Sequence, residues 1–581
     1  MKTKKIKICL LSILLLITSG IGIYAEDDNS SKEPPQGENG DMPEKPDGEA
    51  PGDMSGGGTP PEKPDGEGFG GGANTQTFDY SGSYSGTLTA DGEEVSSSDE
   101  TIEATDSDQN AALVENAGTL TIDGSTLNKS GDDDNGDNCN FYGLNSIALA
   151  VNENSLLKIS NSTLNSTSEG SNAIFATDSS KVYSYNNTIS TSSDNSRGLD
   201  ATYSGTIIAD SMNISTQGNH SASVATDRGG GNISITNSTL STAGSGSPLL
   251  YSTGDIEADN VTGTSSGSQI AGMEGLNTIL IYNSNLASTN NAITGSDPIK
   301  NGVIIYQSTS GDAETSTGDL ARFEAVNSTL TTSIDSGSMF YLTNTSANVL
   351  LSNTTLNFDS TNVNLLQVEG NDANSWGKAG SNGASVNFTC LNETLSGNIT
   401  VDSISSANIY LMNGTTYTGA TSITENAVNT NQTDENITMN ISSDSKWIVM
   451  GDSTVTNLNV EDGGQIVDED GKNVTIKVND EIIAEGDSEY TITVTGSYNT
   501  TVVTDSNNEL TTNYIDRSEF DEVYNLSTTF NSNSNVVDET VDTTATTTTA
   551  STANTGSYYV VGIIAVAILM LVVYFIVQKK K

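Results

Sequence analysis

The stretch Leu157-Lys158-Ile159-Ser160-Asn161-Ser162-Thr163-Leu164 decides how the chain is read. It runs apolar, x, apolar, x, Asn, two small polar residues, then Leu. The phrase returns at Ile233–Leu240, Ile279–Leu286, Phe323–Leu330 and Val349–Leu356, and more loosely at Val182–Ile189 and Ile207–Ile214. Its closing Leu or Ile stands at 164, 189, 214, 240, 286, 330 and 356, with gaps of 25, 25, 26, 46, 44 and 26 residues. The two wide gaps are each near twice the period and hold further turns.

A period of this size in a chain of short apolar runs marks a solenoid, where each repeat buries its apolar face only against its neighbours. Alternation places Leu157, Ile159 and Asn161 together on an inward strand face. A lone buried amide is costly, but stacked Asn side chains bond to one another in a ladder. Asn161, Asn237 and Asn353 are therefore expected to point inward, and Ser234 outward. A second phrase alternates with the first, through Ile174, Leu199, Val224 and Leu250, at the same spacing of 25, 25 and 26. Two strand phrases per coil, with Gly, Asn, Ser and Thr corners and no helical period, predict an all-β, single-stranded parallel β-helix over residues 78–470. Roughly ten to thirteen coils are expected at the usual strand spacing.

The flanks read differently. Residues 1–25 carry Lys2, Lys4, Lys5 and Lys7 before an apolar run, a signal peptide cut after Ala25. Residues 26–77 are Pro, Gly and acidic residues, with Pro-Glu-Lys-Pro-Asp-Gly-Glu at both 43–49 and 61–67, a disordered linker. Residues 471–530 hold Val474–Val478 and Tyr490–Val494, expected as antiparallel strands of a small β-rich cap over the open solenoid end. A Thr-rich stalk (531–557), an apolar run long enough to span a bilayer (558–578) and a basic tail (579–581) follow. The tail resembles the sorting signal of Gram-positive surface proteins at Thr555-Gly556, but Thr552-Ala553 replaces the expected Leu-Pro. A membrane-anchored, extracellular ectodomain is the first expectation.

With 74 acidic against 22 basic residues, a formal charge of −52 argues against nucleic acid and anionic lipid as partners. Cys139 and Cys390 lie ~45 Å apart at ~4.8 Å per strand, so both are expected as free thiols.

Several residues invite a chemical reading. On the 25-residue period Asp200 falls over Ala225, and Asp227 over Thr202. Arg197, Asp200, His220, Asp227 and Arg228 then share two adjacent coils, and an acid or base beside a guanidinium suits sugar chemistry. The competing reading is an ion pair that fixes register. Neither the grouped calcium-binding Asp residues of pectate-lyase-like enzymes nor the Asn-Thr-Asp, Asp-Asp and Gly-His-Gly motifs of polygalacturonase-like enzymes surround them. Asp133, Asn135 and Asp137 alternate oxygen ligands as a Ca2+ site would, without the Gly and Glu offsets of an EF-hand; a solvated acidic loop is the alternative. Tyr183, Tyr185, Tyr203, Tyr251 and Tyr282 form a sugar-stacking strip if they face out; scattered, they only cover core, the more common outcome. Insertions at 129–145, 287–302, 309–321 and 370–384, the last with Trp376, are expected to carry binding residues. Triplets such as Asn161-Ser162-Thr163 and Asn353-Thr354-Thr355 match glycosylation acceptors through composition.

The phrases Ser196-Arg197-Gly198-Leu199-Asp200-Ala201-Thr202-Tyr203, Ala225-Thr226-Asp227-Arg228-Gly229-Gly230-Gly231 and Ser247-Pro248-Leu249-Leu250-Tyr251-Ser252-Thr253-Gly254-Asp255 resemble adhesin-like, pectin-lyase-like right-handed parallel β-helix surface proteins of anaerobic Gram-positive bacteria. The resemblance spans about residues 78–470. It implies a right-handed coil and surface display, and brings no catalytic residues. The expected function is non-enzymatic contact with a glycan or with a host or bacterial surface. A polysaccharide lyase or hydrolase built on the His220 cluster is the alternative, and a passive surface layer a third.

Overall fold

The computed structural model describes residues 77–308, 313, 320–371, 373–374, 376–528 and 530. The segments expected as signal peptide, stalk, apolar span and basic tail, and nearly all of the expected linker, lie outside these residues. Among the described residues no helix is long and apolar enough to cross a membrane.

Each coil lays down strands that pair, in parallel, with those of the coils before and after. One sheet has 13 strands, from Gly86–Asp91 to Thr421–Thr424, and a second has 15, from Glu94–Ser98 to Tyr498–Asn499. A third face holds 10 strands, from Thr101–Ala104 to Thr355–Asn357, and a separate sheet of 4 follows from Thr394–Ser396 to Gln465–Val467. This is the arrangement of a β-helix solenoid, with three strands per coil where two were expected. The opening phrase is itself two strands, Leu156–Ser160 in the second sheet and Thr163–Ser166 in the third.

Stacking puts like residues in columns. Leu157 pairs with Val182, then Ile207, Ile233, Ile256 and Ile279 in register, and all are buried. Leu164, Ile189, Ile214 and Leu240 make a matching column on the third face. A β-branched or Leu side chain on each coil fills a narrow interior whose walls are only one strand deep. Cys390 belongs to such a column, between Leu351 and Leu411, and is a free buried thiol, as is Cys139.

The corner overturns the inward Asn. Asn161, Asn237 and Asn353 are exposed and adopt the left-handed conformation, with φ of 50, 51 and 52°. Asn tolerates this region where most side chains clash. Their amides do form a ladder, but along the outer edge: Asn186 Nδ2 donates to Asn161 Oδ1 at 2.7 Å, and Asn260 Nδ2 to Asn237 Oδ1 at 2.6 Å. The inward place belongs to the next residue. Ser162 Oγ accepts the Ser125 N–H at 3.1 Å and donates to the Ser160 carbonyl at 2.7 Å, and Ser238 Oγ does the same for Met212 N and the Thr236 carbonyl. A corner amide pointing along the stack has no strand partner, and a buried hydroxyl supplies one.

The C-terminal segment also departs from expectation. Thr475–Val478 and Thr491–Val494 pair in parallel, not antiparallel; only Glu481–Ala484 runs antiparallel, beside the first of them. Beyond Asn499 the chain turns back along the outer face of the second sheet. Asn508 bonds Thr389, Thr511 N donates to Glu324, Ile515 N to Glu257, and Arg517 reaches Ser234. A short helix, Ser518–Tyr524, then covers Tyr183 and Tyr185 with Phe520 and Tyr524. Phe530 returns to Tyr282, with ring centres 4.9 Å apart. This strap packs on three of the tyrosines that were expected either in the core or in a sugar-stacking strip, leaving Tyr183 and Tyr282 buried and Tyr185 half-buried. Ser234, expected outward and indifferent, lies fully buried beneath it.

Candidate functional site

The outer face of the first sheet carries one continuous column: Leu113, Leu149, Phe175, Asp200, Ala225 and Tyr251, coil upon coil. Its apolar start is packed by Phe78 and Tyr84, and Gly143 of the 129–145 insertion lies against Leu149 and Phe175. Asp200 is where the column turns polar.

The coil period does bring Arg197, Asp200 and Asp227 together. Arg197 Nη1 meets Asp200 Oδ2 at 2.8 Å, and Nη2 meets Asp227 Oδ2 at 2.8 Å across the adjacent coil. Asp227 itself donates its backbone N–H to the Ala201 carbonyl, so the pair is built into the register. All three side chains are buried. One guanidinium faces two carboxylates, and burial pushes the Asp200 carboxyl up, to about 7, against the pull of Arg197. For Arg197 burial acts to lower the pKa, but the two carboxylates outweigh it and hold the guanidinium protonated.

His220 lines the same cleft as Arg197 and Asp227, and Arg228 donates its backbone N–H to Asp227 Oδ1 at 2.8 Å. The Arg228 guanidinium lies 3.8 Å from the centre of the Phe141 ring. His220 occupies a corner position with φ of 53°, filled on other coils by Asn145, Gly170, Asn195 and Gly246, all at positive φ. Its ring turns outward, and Nε2 lies 2.8 Å from Ser296 Oγ in the 287–302 insertion. On the next coil Gly246 makes room: a Cβ there would stand 2.8 Å from His220 Cδ2. Asp297 pins the insertion, accepting Gly246 N at 2.6 Å and Ser268 Oγ at 2.7 Å.

These residues border a cleft of about 360 Å³, whose lining includes Asn195, Arg197, Asp227, Tyr251, Gln269 and Tyr306. Tyr251 Oη donates to Glu274 Oε2 at 3.0 Å, and Ser308 bonds the same carboxylate. Burial holds the Tyr251 and Tyr306 hydroxyls protonated far above neutral pH. Trp376, from the 370–384 insertion, packs on Tyr306 with ring centres 5.1 Å apart. Of the tyrosines expected in a strip, only Tyr251 lines the cleft; Tyr203 stacks on Tyr142. Ser296, Asp297, Gln269, Glu274 and Tyr306 were not read from the sequence. The break of period at 287–302 was the signal for the first two.

The acidic loop is tied by hydrogen bonds among its own side chains and Asp108. Asp133 Oδ1 accepts the Asn135 N–H at 3.1 Å, the Asn135 amide donates to Asp108 and Asp134, and Asp137 makes no capping bond to the helix it precedes. Among the described residues no group of three or more His, Cys, Asp or Glu side chains is arranged to hold a metal ion. Compared with family models, curated proteins and solved structures, the chain finds no match.

Proposed function

We propose that this is a cell-surface, non-enzymatic β-helix protein that binds a neutral glycan in the cleft on its first sheet. The observation that carries this reading is the pairing of the cleft's charges with protein partners. Asp200 and Asp227 face Arg197, Asp297 holds Gly246 and Ser268, and Glu274 takes Tyr251 and Ser308. What remains for a ligand is an imidazole, amides, hydroxyls and the edges of Tyr251 and Tyr306, the mixture that suits sugar hydroxyls and ring faces. The chain's charge of −52 repels acidic polysaccharides, which is why the ligand is taken as neutral. A right-handed coil and display through a C-terminal membrane anchor belong to the same proposal, on the sequence features that imply them.

An array of neutral and acidic glycans tests it with the purified chain. Binding to neutral glycans that falls at least tenfold in Tyr251→Ala is expected; silence across the array ends the reading. The second reading, a carbohydrate-active enzyme, draws on the Asp200 carboxyl raised to about 7. Asp200 is wholly buried and does not line the cleft, which disfavours direct contact with substrate. Release of reducing ends or unsaturated uronates, lost in His220→Ala, would establish the enzyme instead.

A further inference from the structure

The returning strap leaves a second cleft, of about 580 Å³, between itself and the second sheet. Its floor is set by register: Asp255, Thr278 and Arg322 stack on successive coils, with Glu257 and Leu280 in the neighbouring column. Thr511, Tyr514 and Ile515 of the strap form the roof.

Glu257 is the anomaly in this cleft. It is 3% exposed, and its Oε1 accepts the Ile515 N–H at 2.7 Å. Its Oε2 is buried with no donor in full hydrogen-bonding geometry; the Ser234 hydroxyl, its register partner on the preceding coil, comes close enough to lower the carboxyl's pKa as a weak hydrogen bond. A buried carboxylate oxygen with so poorly placed a donor is costly, and marks a place for a better one. Arg322 does not supply it. Its Nε is held by Glu324 Oε1 at 2.5 Å and its Nη2 by the Glu509 carbonyl. Asp255, on the same strand face two residues before Glu257, opens into the cleft as a second carboxylate.

We propose that this cleft binds a small organic cation through a primary ammonium group, with Glu257 Oε2 and Asp255 accepting its N–H bonds. A cation complements the two carboxylates, because Arg322 is already matched by Glu324. The space far exceeds that of a bare ion, and its lining mixes Thr278 and Thr511 with Leu280 and Tyr514, a bed for a carbon body bearing polar groups. Burial pushes the Glu257 carboxyl up, to about 7, with Asp255 on its own strand raising it and Arg517 on the strap lowering it. An ammonium ligand needs the ionised form, so binding releases a proton and strengthens as pH rises through 7.

Titration calorimetry on the full chain tests this with cadaverine, a polyamine-type source of the ammonium, and glucosamine, an amino-sugar source. N-acetylglucosamine and calcium chloride serve as controls. At least one amine is expected to bind, with an affinity that rises severalfold from pH 6 to pH 8 and falls at least tenfold in both Glu257→Gln and Asp255→Asn. Which amine binds identifies the source. Glu257→Gln keeps an acceptor for Ile515, and unchanged hydrogen-exchange protection of that amide shows the strap still docked. The proposal is overturned if neither amine binds, if either control binds as tightly, if the pH dependence is flat, or if Glu257→Gln binds normally with the strap in place.

Discussion

Arg517 Nη1 donates to the Ser234 carbonyl at 2.7 Å, across 283 residues of chain. The same guanidinium bonds Ser234 Oγ, the Ala209 carbonyl, Thr236 Oγ1 and Thr528 Oγ1. It is 3% exposed, with burial lowering its pKa to about 10 and carboxylates such as Asp210 raising it. One side chain thus joins the strap to two neighbouring coils of the second sheet. Charged hydrogen bonds of this kind contribute about 1.5–3 kcal/mol each, less the desolvation of the guanidinium.

Arg517→Ala is therefore expected to release the strap by loss of roughly 3 kcal/mol while the coils stay stacked. Hydrogen exchange reads this directly. Ile515 and Thr511 amides lose protection, whereas amides of the Leu157 column keep theirs. Uniform loss through the whole protein would show that strap and solenoid unfold as one.

At the Asn corner the two adjacent positions have opposite requirements. Asn237 is exposed and left-handed, so Asn237→Gly is expected to be nearly neutral and Asn237→Leu to cost about 1–2 kcal/mol from backbone strain. Ser238→Ala removes the acceptor of the buried Met212 N–H, expected to cost about 1–3 kcal/mol. Thermal melts of the three variants check the order. A costly Asn237→Gly with a silent Ser238→Ala would reverse the assignment.

That corner was hidden by a parity change that the opening phrase nevertheless contains. Leu157 and Ile159 are inward at odd numbers, and Leu164 is inward at an even one, which an unbroken strand does not allow. Extending the alternation to Asn161 carried the inward face through a residue that in fact turns the chain. The columns and the Arg197–Asp200–Asp227 contact were legible because both follow from the period alone. The His220–Ser296 contact and the strap were not, since each depends on a non-repeating segment whose partners lie 76 and up to 341 residues away. Nothing in a local pattern specifies such a pairing.

The buried corner position is not a hydroxyl on every coil: Asn187, Met212 and Val261 stand there on three, and Glu393 on a fourth. Thr354 N donates to Glu393 Oε1 at 2.7 Å, so here a carboxyl stands where Ser162 and Ser238 place a hydroxyl. Burial pushes this carboxyl to about 8, from an ordinary 4.5. The folded state then holds the proton more tightly than the unfolded chain. Its contribution is fully present below pH 4.5 and is lost as pH rises through 8. Glu393→Thr, matching Thr415 on the next coil, is expected to raise the melting temperature at pH 9 and to change it little at pH 4. Equal shifts at both pH values would show that the carboxyl's ionisation is not the cause.

Gly246 separates the placement of His220 from its chemistry. With φ of 63° and a Cβ that would stand 2.8 Å from the imidazole, Gly246→Ala strains the corner and displaces the ring from Ser296. Strain of about 1–2 kcal/mol leaves the stack folded, because the rest of each coil pairs independently of that corner. Glycan binding is expected to fall in Gly246→Ala as far as in His220→Ala, while Ser296→Ala, which removes only the ring's partner, loses less. The array used for the parent chain, read beside a melting curve for each variant, makes the comparison. If Gly246→Ala bound glycan normally, the orientation of His220 would have no part in recognition, and the amides of Asn195 and Gln269 would carry the polar side of the cleft.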